Sequence, residues 1–139
     1  MIAIVDYGVG NLFSLRSSFA AIGAEAVVSS DPEELKKADR IILPGVGAFG
    51  DAAEKLARSG LGRAVTEQAR AGKPLLGICL GMQLLLEESL EYGVHKGLGL
   101  IPGQVRPISE VIPRRLQDPP HRLERPALSR PLSPVPEYF

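Results

Sequence analysis

Glycine and proline divide this chain into two stretches that cannot fold by the same rules. Fourteen of its fifteen glycines lie in residues 1–99, whereas nine of its twelve prolines lie in residues 102–139. In the first stretch short apolar runs alternate with amphipathic ones, the pattern of βα units that build a mostly parallel sheet. In residues 113–139, Pro113, Pro119, Pro120, Pro126, Pro131, Pro134 and Pro136 remove backbone donors and bias each preceding residue away from helix. The chain is therefore expected to hold one α/β unit over residues 1–108, followed by a proline- and arginine-rich tail over 109–139 that is disordered or extended.

Within the first stretch, Ile2–Val5 reads as a strand, and Leu12, Leu15, Phe19 and Ile22 then recur at helical spacing up to Gly23. A second strand is expected near Ala26–Val28. Asp31 suits the N-cap of the next helix, with Pro32 at its first position and Glu34 at the capping-box position. Arg40–Leu43 is a buried-strand run, after which Asp51 is placed to cap a helix. A helix from Leu61 to Ala71 is expected to stop at Gly72, Pro74–Ile78 to form a fourth strand, and a helix to run through Leu80, Leu84 and Leu85. A further strand is expected at Gln104–Ile108.

Length and charge exclude several classes of function. One hundred and thirty-nine residues accommodate a single core. Sixteen basic and sixteen acidic residues cancel, so no bulk field draws the chain to nucleic acid or to anionic lipid. A mean hydropathy of +0.08 fits a water-soluble chain with no membrane partner. The lone Cys79 excludes an internal disulfide and a multi-cysteine metal site, and Met1–Asp6 lacks a basic signal-peptide start; the cytosol is the expected compartment.

Cys79 is the residue most suited to chemistry. In Gly77-Ile78-Cys79-Leu80-Gly81 it follows a buried strand and opens a helix, the G-x-nucleophile-x-G elbow with cysteine in the nucleophile position. An isolated cysteine is more often a small core residue. The flanking glycines and the strand-to-helix context favour the nucleophile, because the helix N-terminus stabilises a thiolate and the anion it forms on attacking a carbonyl. Pro44-Gly45-Val46-Gly47 ends another strand, where backbone N–H groups can hold such an oxyanion or simply make a tight turn. Gly8-Val9-Gly10 lacks the third glycine of a dinucleotide loop, and no P-loop run exists. His95, in a polar loop composition, and His121, in the proline-rich tail, both read as solvated histidines without a role.

Four segments together carry a family resemblance: Asp6-Tyr7-Gly8-Val9-Gly10-Asn11, Leu43 through Asp51, Lys73 through Gln83, and Gly97-Leu98-Gly99-Leu100-Ile101. They resemble the class I glutamine amidotransferases, and within them the HisH glutaminase subunits of imidazole glycerol phosphate synthase. The resemblance covers residues 1 to about 108. It implies a flavodoxin-like α/β fold, an open and mostly parallel sheet with helices on both faces, shortened at the C-terminus, with no cofactor and no metal. It implies that Cys79 attacks the amide of L-glutamine, that Gly45, Val46, Gly47 and Leu80 line the oxyanion and substrate site, that Gln83 lies near the glutamine pocket, and that Asn11 faces a partner. That partner would be the (β/α)₈-barrel cyclase subunit, which receives the ammonia in histidine biosynthesis.

The resemblance also implies a base histidine and an orienting glutamate that this chain is expected to lack. Pro120-His121 is followed by Arg122-Leu123-Glu124, where the family has a glycine–tryptophan–asparagine run, and the chain has no tryptophan. A frameshift near residue 113 or a short variant with its own tail would each account for this. Two other functions are compatible with the residues: a binding or regulatory module that has lost hydrolysis, and a DJ-1-like cysteine hydrolase of similar architecture.

Overall fold

The computed structural model describes residues 1–112. Residues Met1–Pro107 form one compact unit. Its centre is a four-stranded, wholly parallel sheet of β1 (Ile2–Val5), β2 (Ala26–Ser29), β3 (Arg40–Leu43) and β4 (Leu75–Gly77), in the order β2-β1-β3-β4. The strands are short and apolar, and the two central ones, β1 and β3, are largely buried. Alternation then assigns each residue to a face.

Ala3, Val5, Ile41 and Leu43 pack into the main core with Leu35 of α2 (Pro32–Lys37), Phe49, Ala52 and Leu56 of α3 (Phe49–Arg58), and Leu61, Ala64 and Val65 of α4 (Leu61–Arg70). The buried residues of α3 and α4 recur at helical spacing, so each helix presents one apolar stripe to the sheet. Burying each large side chain stabilises the fold by about 1.5–3 kcal/mol. Helix α1 (Leu12–Ala21) packs along β2, yet none of its residues is fully buried.

Capping follows the sequence closely at α1 and α2. Asn11 Oδ1 accepts from the N–H of Ser14, and Asp31 Oδ1 accepts from that of Glu33. The capping box expected of Glu34 does not close: the Asp31 N–H donates instead to Ser29 Oγ at 3.0 Å. The far end of α2 is held from outside, where Lys73 Nζ donates to the carbonyls of Leu35 and Lys36. Asp51 does not cap α3. Ala48 occupies the cap position without a side-chain bond, and Asp51 sits inside the first turn, where its charge complements the helix dipole.

The chain departs from expectation after Gln83. The expected helix through Leu85 is a single turn, α5 (Leu80–Gln83), followed by a second, three-stranded sheet of β5 (Leu86–Ser89), β6 (His95–Lys96) and β7 (Ile101–Val105). The cause is competition for carbonyls. Leu84 O accepts from Leu98 N, and Leu85 O accepts from Leu100 N and Ile101 N, so the backbone of 98–101 takes the groups a longer helix would turn inward. Gly97 makes this approach possible, since a Cβ there would lie 2.2 Å from Leu86 O. The strand expected at Gln104–Ile108 lies earlier: β7 pairs in parallel with β5 from Ile101 to Val105, with its register shifted around Pro102 and Gly103. Residues 108–111 form a short helical turn, α6. The expectations for 113–139, His121 included, lie outside the described residues.

Candidate functional site

Cys79 stands between β4 and α5 with φ 55° and ψ −120°. Positive φ is rare outside glycine and costs about 1–3 kcal/mol, which the surrounding packing must offset. The thiol is exposed. What holds the elbow is the absence of side chains on its neighbours: a Cβ on Gly77 would lie 2.6 Å from Met82 Cα, and one on Gly81 only 1.9 Å from Leu43 O. The elbow is thus pressed directly against the end of β3.

The same contact brings in the loop after β3. A Cβ on Gly45 would lie 2.6 Å from the backbone N of Gly81 and 2.9 Å from Leu80 Cβ, so Gly45 and Leu80 touch through backbone and a single carbon. Gly47 has φ +89°. The N–H groups of Val46, Gly47 and Leu80 donate to no acceptor among the described residues, and Leu80 opens α5, where an orphan donor is expected. Gln83 lies one turn after Cys79 and is half-buried, its N–H donating to Cys79 O at 3.3 Å.

Tyr7 is a positioning element that the periodicity gave no means of singling out. Its hydroxyl donates to Pro44 O at 2.7 Å, tying the end of β1 to the loop that carries Gly45–Gly47. It is 5% exposed, and burial pushes its pKa up to about 12. The hydroxyl is therefore a fixed donor at any ordinary pH.

A cleft of about 190 Å³ opens beside Cys79, lined by Asn11, Ser14, Leu15, Gly45, Val46 and Ile78 among others. Asn11, Gly45, Val46 and Cys79 are thereby brought together, although the Asn11 carboxamide is already engaged as the cap of α1. Among the described residues, neither a histidine nor a carboxylate lines this cleft. His95 is not a loop residue, as its composition suggested, but part of β6, paired with Ser89. Its ring lies over Gly50, where a Cβ would be 2.7 Å from Cε1, and Nε2 is 3.3 Å from Tyr92 O. It braces the second sheet against α3. No group of three His, Cys, Asp or Glu side chains that could hold a metal occurs among the described residues.

A parallel α/β sheet with a cysteine on a glycine-lined strand-to-helix elbow, facing a second glycine-rich loop, is the arrangement of enzymes that attack carbonyl groups from the carboxyl edge of a sheet. Comparison with known proteins narrows this class. The sequence model of the CobB/CobQ-like glutamine amidotransferase domain matches residues 3–117, and the chain belongs to that family. It is similar to proteins named imidazole glycerol phosphate synthase subunit HisH. The one from Sulfurimonas denitrificans is 58% identical over 105 residues, covering 76% of this chain and 51% of the relative. The one from Wolinella succinogenes is 54% identical over 110 residues, covering 79% and 54%. The chain spans about half the length of the curated relatives it matches.

Among solved structures, a glutamine amidotransferase matches with TM-score 0.65 and 22% identity over 76% of this chain and 56% of that one. A peptidase E-like protein from Listeria monocytogenes matches with TM-score 0.58 and 15% identity over 72% and 62%. At these identities the likeness is one of fold, and it agrees with the expected α/β class. No helix among the described residues is long and apolar enough to cross a membrane.

Proposed function

We propose that this chain carries the nucleophile half of a glutaminase site, of the kind that supplies ammonia to imidazole glycerol phosphate synthase in the cytoplasm. The observation that carries the reading is the elbow itself: Cys79 at positive φ, pressed against β3 through Gly81 and Gly45. In the proposed reaction the Cys79 thiolate attacks the side-chain amide carbon of L-glutamine. The N–H groups of Val46, Gly47 and Leu80 receive the resulting oxyanion. The C–N bond breaks, ammonia leaves with an added proton, and a γ-glutamyl thioester remains until water releases glutamate and the thiol. Gln83 would contact the bound glutamine, and Asn11 would face a barrel-type cyclase subunit that takes the ammonia.

The proton transfers need a base that none of the described residues lining the cleft provides, and acid–base assistance is worth about 10²–10⁴ in rate. That observation favours a second reading, in which the chain binds glutamine or the cyclase without turning glutamine over. The proline- and arginine-rich composition after residue 108 underlies a proposed division into a partial amidotransferase domain over 1–108 and a separate tail over 109–139. Translating the coding DNA past residue 108 in all three frames tests a frameshift origin of that tail; a glycine–tryptophan–asparagine run with a downstream histidine in another frame would support it.

Ammonia release from L-glutamine, measured with and without a cyclase subunit, decides between the readings. Cyclase-stimulated release that Cys79→Ala abolishes supports the glutaminase. Binding without release supports the module, and neither binding nor release refutes both.

A further inference from the structure

A second cleft, of about 610 Å³, lies between α3, α4 and the Lys96–Leu98 segment. It shares no lining residue with the cleft beside Cys79, and its volume is in the range of cavities that take small molecules. Its floor is apolar: Leu56 and Leu84 are 1% and 0% exposed, and Leu98 packs against the same core. Gly62 lets α4 close onto that floor, since a Cβ there would lie 3.2 Å from Leu56 Cγ and 3.4 Å from Leu98 Cδ2. The polar lining holds three cations, Arg63, Arg70 and Lys96, against one carboxylate, Glu67. Helical spacing sets Arg63, Glu67 and Arg70 along one face of α4, and the first two are paired, with Arg63 Nε donating to Glu67 Oε1 at 2.7 Å. The Thr66 hydroxyl is also engaged, donating to Gly62 O. Arg70 and Lys96 have no carboxylate partner among the described residues. Positive and negative side chains balance over the whole chain, so the excess of cations is a property of this cleft.

We propose that this cleft binds a small organic anion, with a carboxylate or phosphate head toward Arg70 and Lys96 and an apolar body over Leu56, Leu84 and Leu98. Charge and surface together select that occupant. A neutral apolar molecule would cover the leucines and leave both cations unpaired, whereas a free inorganic anion would meet the cations and leave the leucines wet. Only a molecule with both parts matches the whole lining. The inference stands apart from the glutaminase reading, because no residue around Cys79 takes part in it.

The test titrates the full chain, with its leucine methyl groups labelled for NMR, with hexyl phosphate and with hexanoate. Hexanol and inorganic phosphate serve as the body and the head alone. The expected result is saturable binding of at least one of the two alkyl anions, read as shifts of the Leu56, Leu84 and Leu98 methyl signals, about tenfold tighter than hexanol or inorganic phosphate. The tighter of the two identifies the head. Replacing both cations, Arg70→Gln with Lys96→Gln, should weaken binding about tenfold. Ala57→Glu, which adds a carboxylate to the lining, should weaken it too, and Ala57→Lys should not. All three positions are exposed, so these variants should melt like the parent. Hexanol or inorganic phosphate binding as tightly as the alkyl anions, shifts that leave the three leucines unmoved, or equal weakening by Ala57→Glu and Ala57→Lys would each overturn the proposal. So would leucine shifts that follow protein concentration without ligand, which would assign the cleft to a second copy of this chain.

Discussion

Alanine at position 81 places a single methyl group between the elbow and β3. Gly81 lies in α5 without a positive φ, so alanine suits its backbone, and helix propensity alone would make the substitution favourable by up to about 1 kcal/mol. The packing opposes it. The new Cβ would stand 1.9 Å from Leu43 O, and a tolerable contact begins near 3.0 Å, so the elbow must move by about 1.1 Å, the difference of the two. Leu43 O is also the acceptor for Ile78 N, so the movement strains that bond as well. Overpacking of about 2 kcal/mol and a hydrogen bond of about 1 kcal/mol, less the propensity gain, give a net loss of about 2 kcal/mol. Urea unfolding reads this directly. A displacement of that size at a reacting centre costs about 10²-fold, so alkylation of Cys79 by a glutamine-analogue reagent should slow by a similar factor. Gly23→Ala serves as the control, because Gly23 lies outside the site, its Cβ meets nothing within 4 Å and the cost is confined to φ, about 1–2 kcal/mol. A Gly81→Ala chain as stable as the parent, with labelling unchanged, would refute the claim that close backbone approach builds the site.

Other perturbations follow from the same contacts. Tyr7, raised by burial from 10.0 to about 12, stabilises the fold fully below pH 10; as pH rises from 10 to 12 the unfolded state loses the proton first, and up to about 2–3 kcal/mol should disappear. Tyr7→Phe should remove that alkaline loss in urea titrations and cost about 1 kcal/mol at neutral pH through the unpaired Pro44 carbonyl. Gly50→Ala should destabilise by about 1–3 kcal/mol by displacing the His95 ring; the double variant with His95→Ala should recover part of this, and additive losses in thermal melts would contradict the contact. Asp31→Ala should cost about 1 kcal/mol as a lost N-cap, measured by urea unfolding.

How much of this could be read in advance depended on whether an element is decided locally. β1 and β3 were legible residue for residue, because an apolar run flanked by polar residues in a parallel sheet has few alternatives. Asp31 and Cys79 were legible because capping and the elbow are local chemistry. β5 and β6 were not: Leu84-Leu85-Leu86 suits a helix, and only the distant segment 97–101, taking the carbonyls of Leu84, Leu85 and Leu86, turns it into a strand. His95 and Tyr7 owe their roles to partners 45 and 37 positions away in sequence, Gly50 and Pro44, and no periodicity encodes such a pairing. Close backbone approach at the glycines flanking Cys79 was legible from the elbow pattern, whereas the partners, Leu43 O against Gly81 and Gly45 against Gly81 and Leu80, are a property of three segments at once.

The most direct test of the account is protection of Cys79 by substrate. A glutamine-analogue alkylating reagent is incubated with the full chain, and the intact mass is followed with and without L-glutamine. The account predicts one adduct, located on Cys79, slowed by L-glutamine but not by D-glutamine, and absent in Cys79→Ala. Labelling that proceeds at the same rate with or without L-glutamine would contradict it, because Cys79 would then be an exposed thiol with no amide-binding site around it.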